Sequence, residues 1–125
     1  MPRVRSNRPD RKSATARARR SPCPVACALD LFGDRWTLLI VRDLILNRTR
    51  FKDFMESPEG VPTNILSERL ARLLRHGIIE QIPAADGTKR LAYHLTKKGA
   101  ALRPILKAMR DWGLQWTEGA QALLT

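Results

Sequence analysis

Val61-Pro62-Thr63-Asn64-Ile65-Leu66-Ser67-Glu68-Arg69-Leu70-Ala71-Arg72-Leu73-Leu74-Arg75-His76-Gly77 is the stretch on which the fold turns. Leu66, Leu70, Leu73 and Leu74 recur at i, i+4, i+7 and i+8, a spacing that lines one side of an α-helix with leucine. Thr63 reads as the cap of a helix from Asn64 to about His76, and Gly77 as its stop. The opposite side carries Asn64, Ser67, Glu68, Ala71, Arg72 and Arg75. Such a helix buries one stripe and offers the other, polar one to a partner. Upstream, Ser57 to Pro62 is a turn rich in breakers, and Phe51 to Glu56 is a short helix with Phe51, Phe54 and Met55 on its apolar side. Downstream, Ile78 to Pro83 reads as a strand, Asp86-Gly87 as a hairpin turn, and Arg90 to Leu95 as the return strand. In that return strand Leu91, Tyr93 and Leu95 form the apolar side. Two helices across a Gly/Pro turn, followed by a hairpin, spell a winged helix-turn-helix.

Outward from this centre, Asn47 to Arg50 is a polar break. It follows a helix from Arg35 to about Leu46 that is apolar almost all round, with Asp34 as its N-cap, so it belongs inside a core. An earlier short helix runs from Val25 to about Phe32 and ends at Gly33, with Pro24 suited to its first turn. On the far side of the hairpin, Thr96 caps a last helix to about Gly119. Its stripe is Leu102, Ile105, Leu106, Met109, Trp112 and Trp116, with a kink or irregular turn expected at Pro104. The expected class is mainly α with a small β-hairpin wing (α+β), and Trp36, Phe51 and Phe54 are expected in the core.

The charge balance agrees with a polyanionic partner. The 125 residues carry a formal charge of +11, which points to nucleic acid or an anionic membrane surface. Residues 1–21 hold eight of the cations against Asp10 alone, and the remaining 104 residues have a net charge of +4. A segment this poor in apolar residues cannot offset its ordering entropy, so 1–21 is expected to be a disordered basic tail ahead of a single domain over 22–125. The tail serves either solubility or contact along DNA phosphates. An Arg-, Ser- and Ala-rich start also fits a transit peptide, although this one shows no apolar face. The longest apolar run, Leu38 to Val41, is too short for a membrane span or a signal-peptide core, which leads to an expectation of a cytoplasmic, nucleoid-associated protein with no membrane partner. No Gly-rich phosphate loop or acid–base pair in a known motif occurs, and Cys23, Cys27, His76 and His94 lack zinc-type spacing. No enzyme activity, cofactor or metal is therefore expected.

Cys23-Pro24-Val25, Gly33-Asp34-Arg35-Trp36, Arg42-Asp43-Leu44, Arg50-Phe51-Lys52-Asp53-Phe54, Val61 to Leu70, Tyr93 to Gly99 and Trp112 together carry a resemblance to a known family. Over roughly Cys23 to Trp116 the chain resembles the HxlR-type transcriptional regulators, relatives of the MarR group. Asp34 and Asn47 depart from it, standing where that family often has glycine. The resemblance implies a homodimer built from the first and last helices that binds a roughly palindromic operator in double-stranded DNA. The two tryptophans of the last helix support this independently, since Met109, Trp112 and Trp116 are more apolar surface than a small domain readily covers. Burial within one subunit is the plainer alternative.

In the recognition helix, Thr63, Asn64 and Ser67 are candidates for base or phosphate contact, against a reading in which Thr63 only caps and Asn64 is solvated. Glu68 either excludes wrong sequences or accepts from cytosine. Arg72 and Arg75 are phosphate candidates, although Arg72 can instead pair with Glu68. Arg69 either buttresses the turn or reaches the backbone. Lys89 and Arg90 in the wing, and Arg50 at the start of the first helix of the pair, are further contacts. Cys23 sits at a helix start near Arg20, which favours the thiolate, and it matches a cysteine that members of the resembled family use to sense oxidants or electrophiles. Cys27, one turn on, is a weaker redox candidate, and both can equally be packing residues. An oxidant or small-molecule effector is thus expected beside DNA. A non-specific architectural DNA binder and a winged-helix protein-interaction module are the rival functions.

Overall fold

The computed structural model describes residues 21–84, 87 and 90–123. The tail over 1–20, together with Asp86 and Lys89 of the hairpin, lies outside the described residues. The chain divides after Arg35 into two units. The first contains α1 (Pro24–Phe32), with the extended Cys23 as its N-cap and proline in its first turn. Gly33 is the C-cap of α1, and its N–H still donates to Leu29 O at 2.8 Å. A Cβ there would lie 2.5 Å from that oxygen, so only glycine fits.

The second unit holds α2 (Thr37–Ile45), α3 (Phe51–Met55), α4 (Thr63–Arg75), β1 (Ile79–Pro83), β2 (Leu91–Leu95), α5 (Lys97–Ala100) and α6 (Arg103–Trp116). Its core is Ile40, Val41 and Leu44 of α2, Phe54 of α3, Leu66, Leu70 and Leu73 of α4, Ile78 and Ile79, Ala92, and Leu102 and Leu106. α2 packs against both β2 and α6, so it is the central helix. Phe54 is fully buried, whereas Trp36 and Phe51 are only partly so. The strands pair antiparallel, with Ile79 opposite Leu95 and Pro83 opposite Leu91.

Four sequence expectations are corrected. Asp34 does not cap α2, because residues 34–36 bend and the helix begins at Thr37 with Trp36 as its N-cap. Thr63 is the first residue of α4 rather than its cap; Pro62 holds the cap position, and its carbonyl accepts from Leu66 N–H at 2.9 Å. Of the kink or irregular turn expected at Pro104, the irregular turn is what forms, just before it. The last helical segment is two helices separated by a turn at Ala101 and Leu102, and Pro104 lies in the first turn of α6, where its missing N–H has no partner to lose. Thr96 does cap, but it caps α5, accepting from Gly99 N–H at 3.2 Å. Finally, β2 turns Ala92 inward and leaves Leu91 exposed. Residues 80–83 of the partner strand are exposed too, so hydropathy does not decide burial there.

Asn47 has a φ of 66°, a left-handed conformation that explains why glycine also suits this turn and that asparagine tolerates better than most residues. Gly99 meets a different need: a Cβ there would lie 2.1 Å from Ile78 O, where α5 crosses the root of the wing.

Candidate nucleic-acid interface

The helix-turn-helix pair is α3 and α4, and the turn between them is clamped to α2 by a network of charges. Arg42 and Asp43 lie side by side in α2, both buried. Asp43 Oδ1 accepts from Arg42 Nε at 3.2 Å and Nη2 at 3.0 Å, and from Arg48 Nη1 at 3.4 Å. Its Oδ2 accepts from the buried Ser57 hydroxyl. On its other edge the Arg42 guanidinium donates to both oxygens of Glu59, each at 2.8 Å. α2 thereby grips Ser57 and Glu59 at two points of the turn that aims α4. The hydrogen bond from Arg42 holds the Glu59 carboxyl below its ordinary value against the opposing effect of burial. The same bond raises the Arg42 guanidinium. Sequence reasoning found neither role. The usable signal was a charged pair inside an otherwise apolar helix.

α3 is started by Asp53, whose Oδ2 accepts from the N–H groups of Thr49 at 3.1 Å and Arg50 at 3.0 Å. Arg50 therefore stands at the N-cap of α3. Along α4, Thr63, Asn64, Ser67, Glu68, Ala71 and Arg75 are all exposed, while Leu66, Leu70 and Leu73 are buried. That brings five of the six candidate recognition residues onto one face. Arg72 is the exception. It is half-buried, and its Nη2 donates to Thr37 Oγ1 at 3.3 Å, which ties α4 to α2. Glu68 pairs with Arg69, not with Arg72. That pairing screens a carboxylate which would otherwise repel phosphates. Arg90 is exposed at the wing, and Lys89 lies outside the described residues.

The remaining candidates are elsewhere. Cys23 is exposed at the start of α1, with its N–H donating to Ser21 Oγ at 3.0 Å. Cys27 is half-buried, and its Sγ lies 3.5 Å from Ser21 O. On α6, Ile105, Met109, Trp112 and Trp116 fall on one face and are exposed, each tryptophan to 66%. Among the described residues, no cluster of His, Cys, Asp and Glu could hold a metal ion, and no helix is long and apolar enough to cross a membrane.

A recognition helix with one polar face, set by a clamped turn and followed by a two-stranded wing, defines a winged helix-turn-helix transcriptional regulator. Comparison with known proteins agrees. The profile of the HxlR-like helix-turn-helix family matches residues 31–121. The chain is 32% identical over 96 residues to sll1512 of Synechocystis, designated an HTH-type transcriptional regulator, covering 77% of this chain and 71% of that one. The structure of PA1607 superposes with a TM-score of 0.73 at 42% identity, covering 82% of this chain and 72% of the other. The reduced form of the transcriptional regulator YodB from Bacillus subtilis superposes with a TM-score of 0.64 at 31% identity, over 81% of this chain and all of that one. YodB has also been solved diamide-treated and quinone-bound. This chain belongs to the HxlR-like family of transcriptional regulators, which are not enzymes.

Proposed function

We propose that the protein binds a specific, roughly palindromic DNA operator as a homodimer and acts in the cytoplasm on the nucleoid. The observation that carries this reading is the exposed polar face of α4, beginning with Thr63, Asn64 and Ser67 at the end of the helix that comes nearest to base edges. Asn64 suits adenine, and the two hydroxyls suit bases or phosphate. Arg75, Arg50, Arg90 and Lys89 supply phosphate contacts. Arg72 serves mainly to seat α4 on α2 through Thr37. Footprinting on DNA flanking the protein's own coding region locates the operator. Protection of one discrete site supports the reading, and uniform coverage favours the architectural alternative.

The exposed face of α6 supports the dimer, and α1 contributes exposed Val25 and Leu29. Two recognition helices then enter successive major grooves about 34 Å apart. The Trp112→Ala, Trp116→Ala double variant should sediment as a monomer at micromolar concentration, where the parent is a dimer. A parent that is itself monomeric there, yet binds a full operator tightly, contradicts this arrangement.

Cys23 is read as the redox or electrophile switch, with Cys27 as a secondary candidate. Its exposure at a helix start makes it accessible, and the diamide and quinone forms of YodB show that a relative is a target of such chemistry. Diamide takes two electrons and two protons as the Cys23 thiol joins a small thiol or a thiol of a second subunit in a disulfide. Cys23 caps α1 and Cys27 lies one turn inside it, a spacing that meets disulfide geometry poorly, so a Cys23–Cys27 bond within one chain is not the product. Operator affinity of the parent should fall about tenfold or more with diamide, the equivalent of about 1.4 kcal/mol, while the Cys23→Ser variant holds its affinity. An equal response in both proteins leaves Cys23 as packing.

A further inference from the structure

Thr63, Asn64, Ser67, Glu68, Ala71 and Arg75 are the exposed residues of α4, and Ala71 alone among them is apolar. It follows Ser67 by one helical turn and Asn64 by two, so it shares their face. Asn64, Ser67, Glu68 and Ala71 thus stand at i, i+3, i+4 and i+7, a spacing with which one helix presents four side chains to one groove. An exposed alanine is ordinarily a helix former roofed by the long side chains around it. Here those side chains are engaged elsewhere. Glu68, one turn before, pairs with Arg69. Arg72, the next residue, turns inward and donates to Thr37 Oγ1 at 3.3 Å. Arg75, one turn on, does not bury it either. The methyl group of Ala71 is therefore an open apolar spot on an otherwise polar recognition face.

Such a spot selects its partner by chemistry. The alanine side chain carries no donor or acceptor, so it cannot distinguish bases by hydrogen bonding. In the major groove the apolar group on a base edge is the C5 methyl of thymine, and alanine is among the side chains that pack against it. Set against the polar edge of guanine, adenine or cytosine, the same methyl would displace water from a donor or acceptor and offer nothing in return. Ala71 lies about 10 Å along the helix axis from Asn64, a distance of about three base-pair steps. The two side chains therefore face different base pairs of one half-site.

We propose that Ala71 is a specificity-determining residue that reads the C5 methyl of a thymine lying within about three base pairs of the base that Asn64 contacts. This rests on the DNA-reading role of α4 proposed above and adds to it a base identity that the hydrogen-bonding residues do not supply. Packing one methyl against another removes about one methyl group from water, a factor of about four in affinity. A dimer that makes the contact in both half-sites gains about 15-fold. 5-Methylcytosine carries its methyl at the same ring position as thymine, so the contact also separates it from cytosine.

The probe is the footprinted operator duplex in which each thymine of the half-site is replaced in turn by deoxyuridine, which lacks only the methyl. The full-length parent should lose affinity at one such position, about fourfold with one half-site changed and about 15-fold with both. Cytosine placed at that position should bind about fourfold more weakly per half-site than 5-methylcytosine. Ala71→Gly should bind the thymine and deoxyuridine operators within about twofold of each other. Glycine weakens a helix interior, so Ala71→Gln, a good helix former without the small apolar tip, is measured beside it and should lose the same discrimination. Asn64→Ala should bind both operators more weakly yet keep the parent's thymine-to-deoxyuridine ratio, because it faces another base pair. Circular dichroism first checks that each variant keeps the parent's helix content. Indifference of the parent to every thymine methyl, no gain from 5-methylcytosine over cytosine, or a parent-like ratio in both Ala71 variants overturns the proposal. So does loss of the ratio in Asn64→Ala, which would tie the methyl to docking as a whole. In each of those cases a discrete operator remains and the DNA-reading role of α4 stands. A parent that protects no discrete site and binds all duplexes alike overturns that role, and this proposal with it.

Discussion

Asp43→Ala should lower the free energy of unfolding by about 3 kcal/mol, toward the lower end of the cost of removing one partner from a buried ion pair. The side chain of Asp43 is 3% exposed and that of Arg42 is 11% exposed. Removing the carboxylate leaves the Arg42 guanidinium buried, with Glu59 as its remaining partner, and strips the Ser57 hydroxyl of its acceptor. Asp43→Asn keeps an acceptor and should lose less. Urea denaturation of both variants measures this, and a loss below about 1 kcal/mol for the alanine variant would contradict the buried clamp. The same network sets a pH dependence. Glu59 titrates lower in the folded protein than in the unfolded chain, so its contribution is fully present above the unfolded carboxylate value. It is lost as pH falls through the depressed folded value. Acid should therefore loosen the α3–α4 turn, and Glu59→Gln should flatten that part of the stability profile.

The operator complex should lose about 10³-fold or more of its affinity between about 50 and 200 mM salt, with about six phosphates neutralised. Each subunit brings Arg75 from α4 and Arg50 from the start of α3, together with Lys89 and Arg90 from the wing and the eight cations of residues 1–21. Neutralising phosphates releases condensed counterions, and that release is what added salt opposes. Lys89→Ala should weaken operator and random duplex about equally and reduce the slope of the salt dependence by about two, one for each subunit of the dimer. An affinity that barely changes over this range would mean that these cations do not lie along the backbone, and would favour the protein-interaction module.

The recognition helix was legible because its signal is local. Leu66, Leu70 and Leu73 repeat with the period of the helix they bury, and Gly77, with a φ of 71°, stops it where the pattern ends. The central helix and the paired strands follow from similarly local patterns. The clamp was not legible, because Glu59 lies 17 positions from Arg42 and only the folded chain joins them. Arg72 misled for the same reason: on a helical wheel it shares the polar side, but Thr37, 35 positions away, draws it inward. Leu91 was misread because alternation reveals two faces of a strand without saying which one a projecting hairpin turns to the core.

The central claim is that the exposed face of α4 reads DNA sequence, and Asn64 is its sharpest test. Asn64 is exposed in the first turn of α4, and no described contact commits its side chain to the fold. Its replacement should therefore spare stability and cost recognition. The decisive measurement is the affinity of the parent and of Asn64→Ala for the footprinted operator and for random duplex at one fixed salt concentration. The substitution should cost roughly 1–3 kcal/mol on the operator and little on random DNA, so that the specific-to-random ratio falls about tenfold or more. An unchanged ratio would contradict the account.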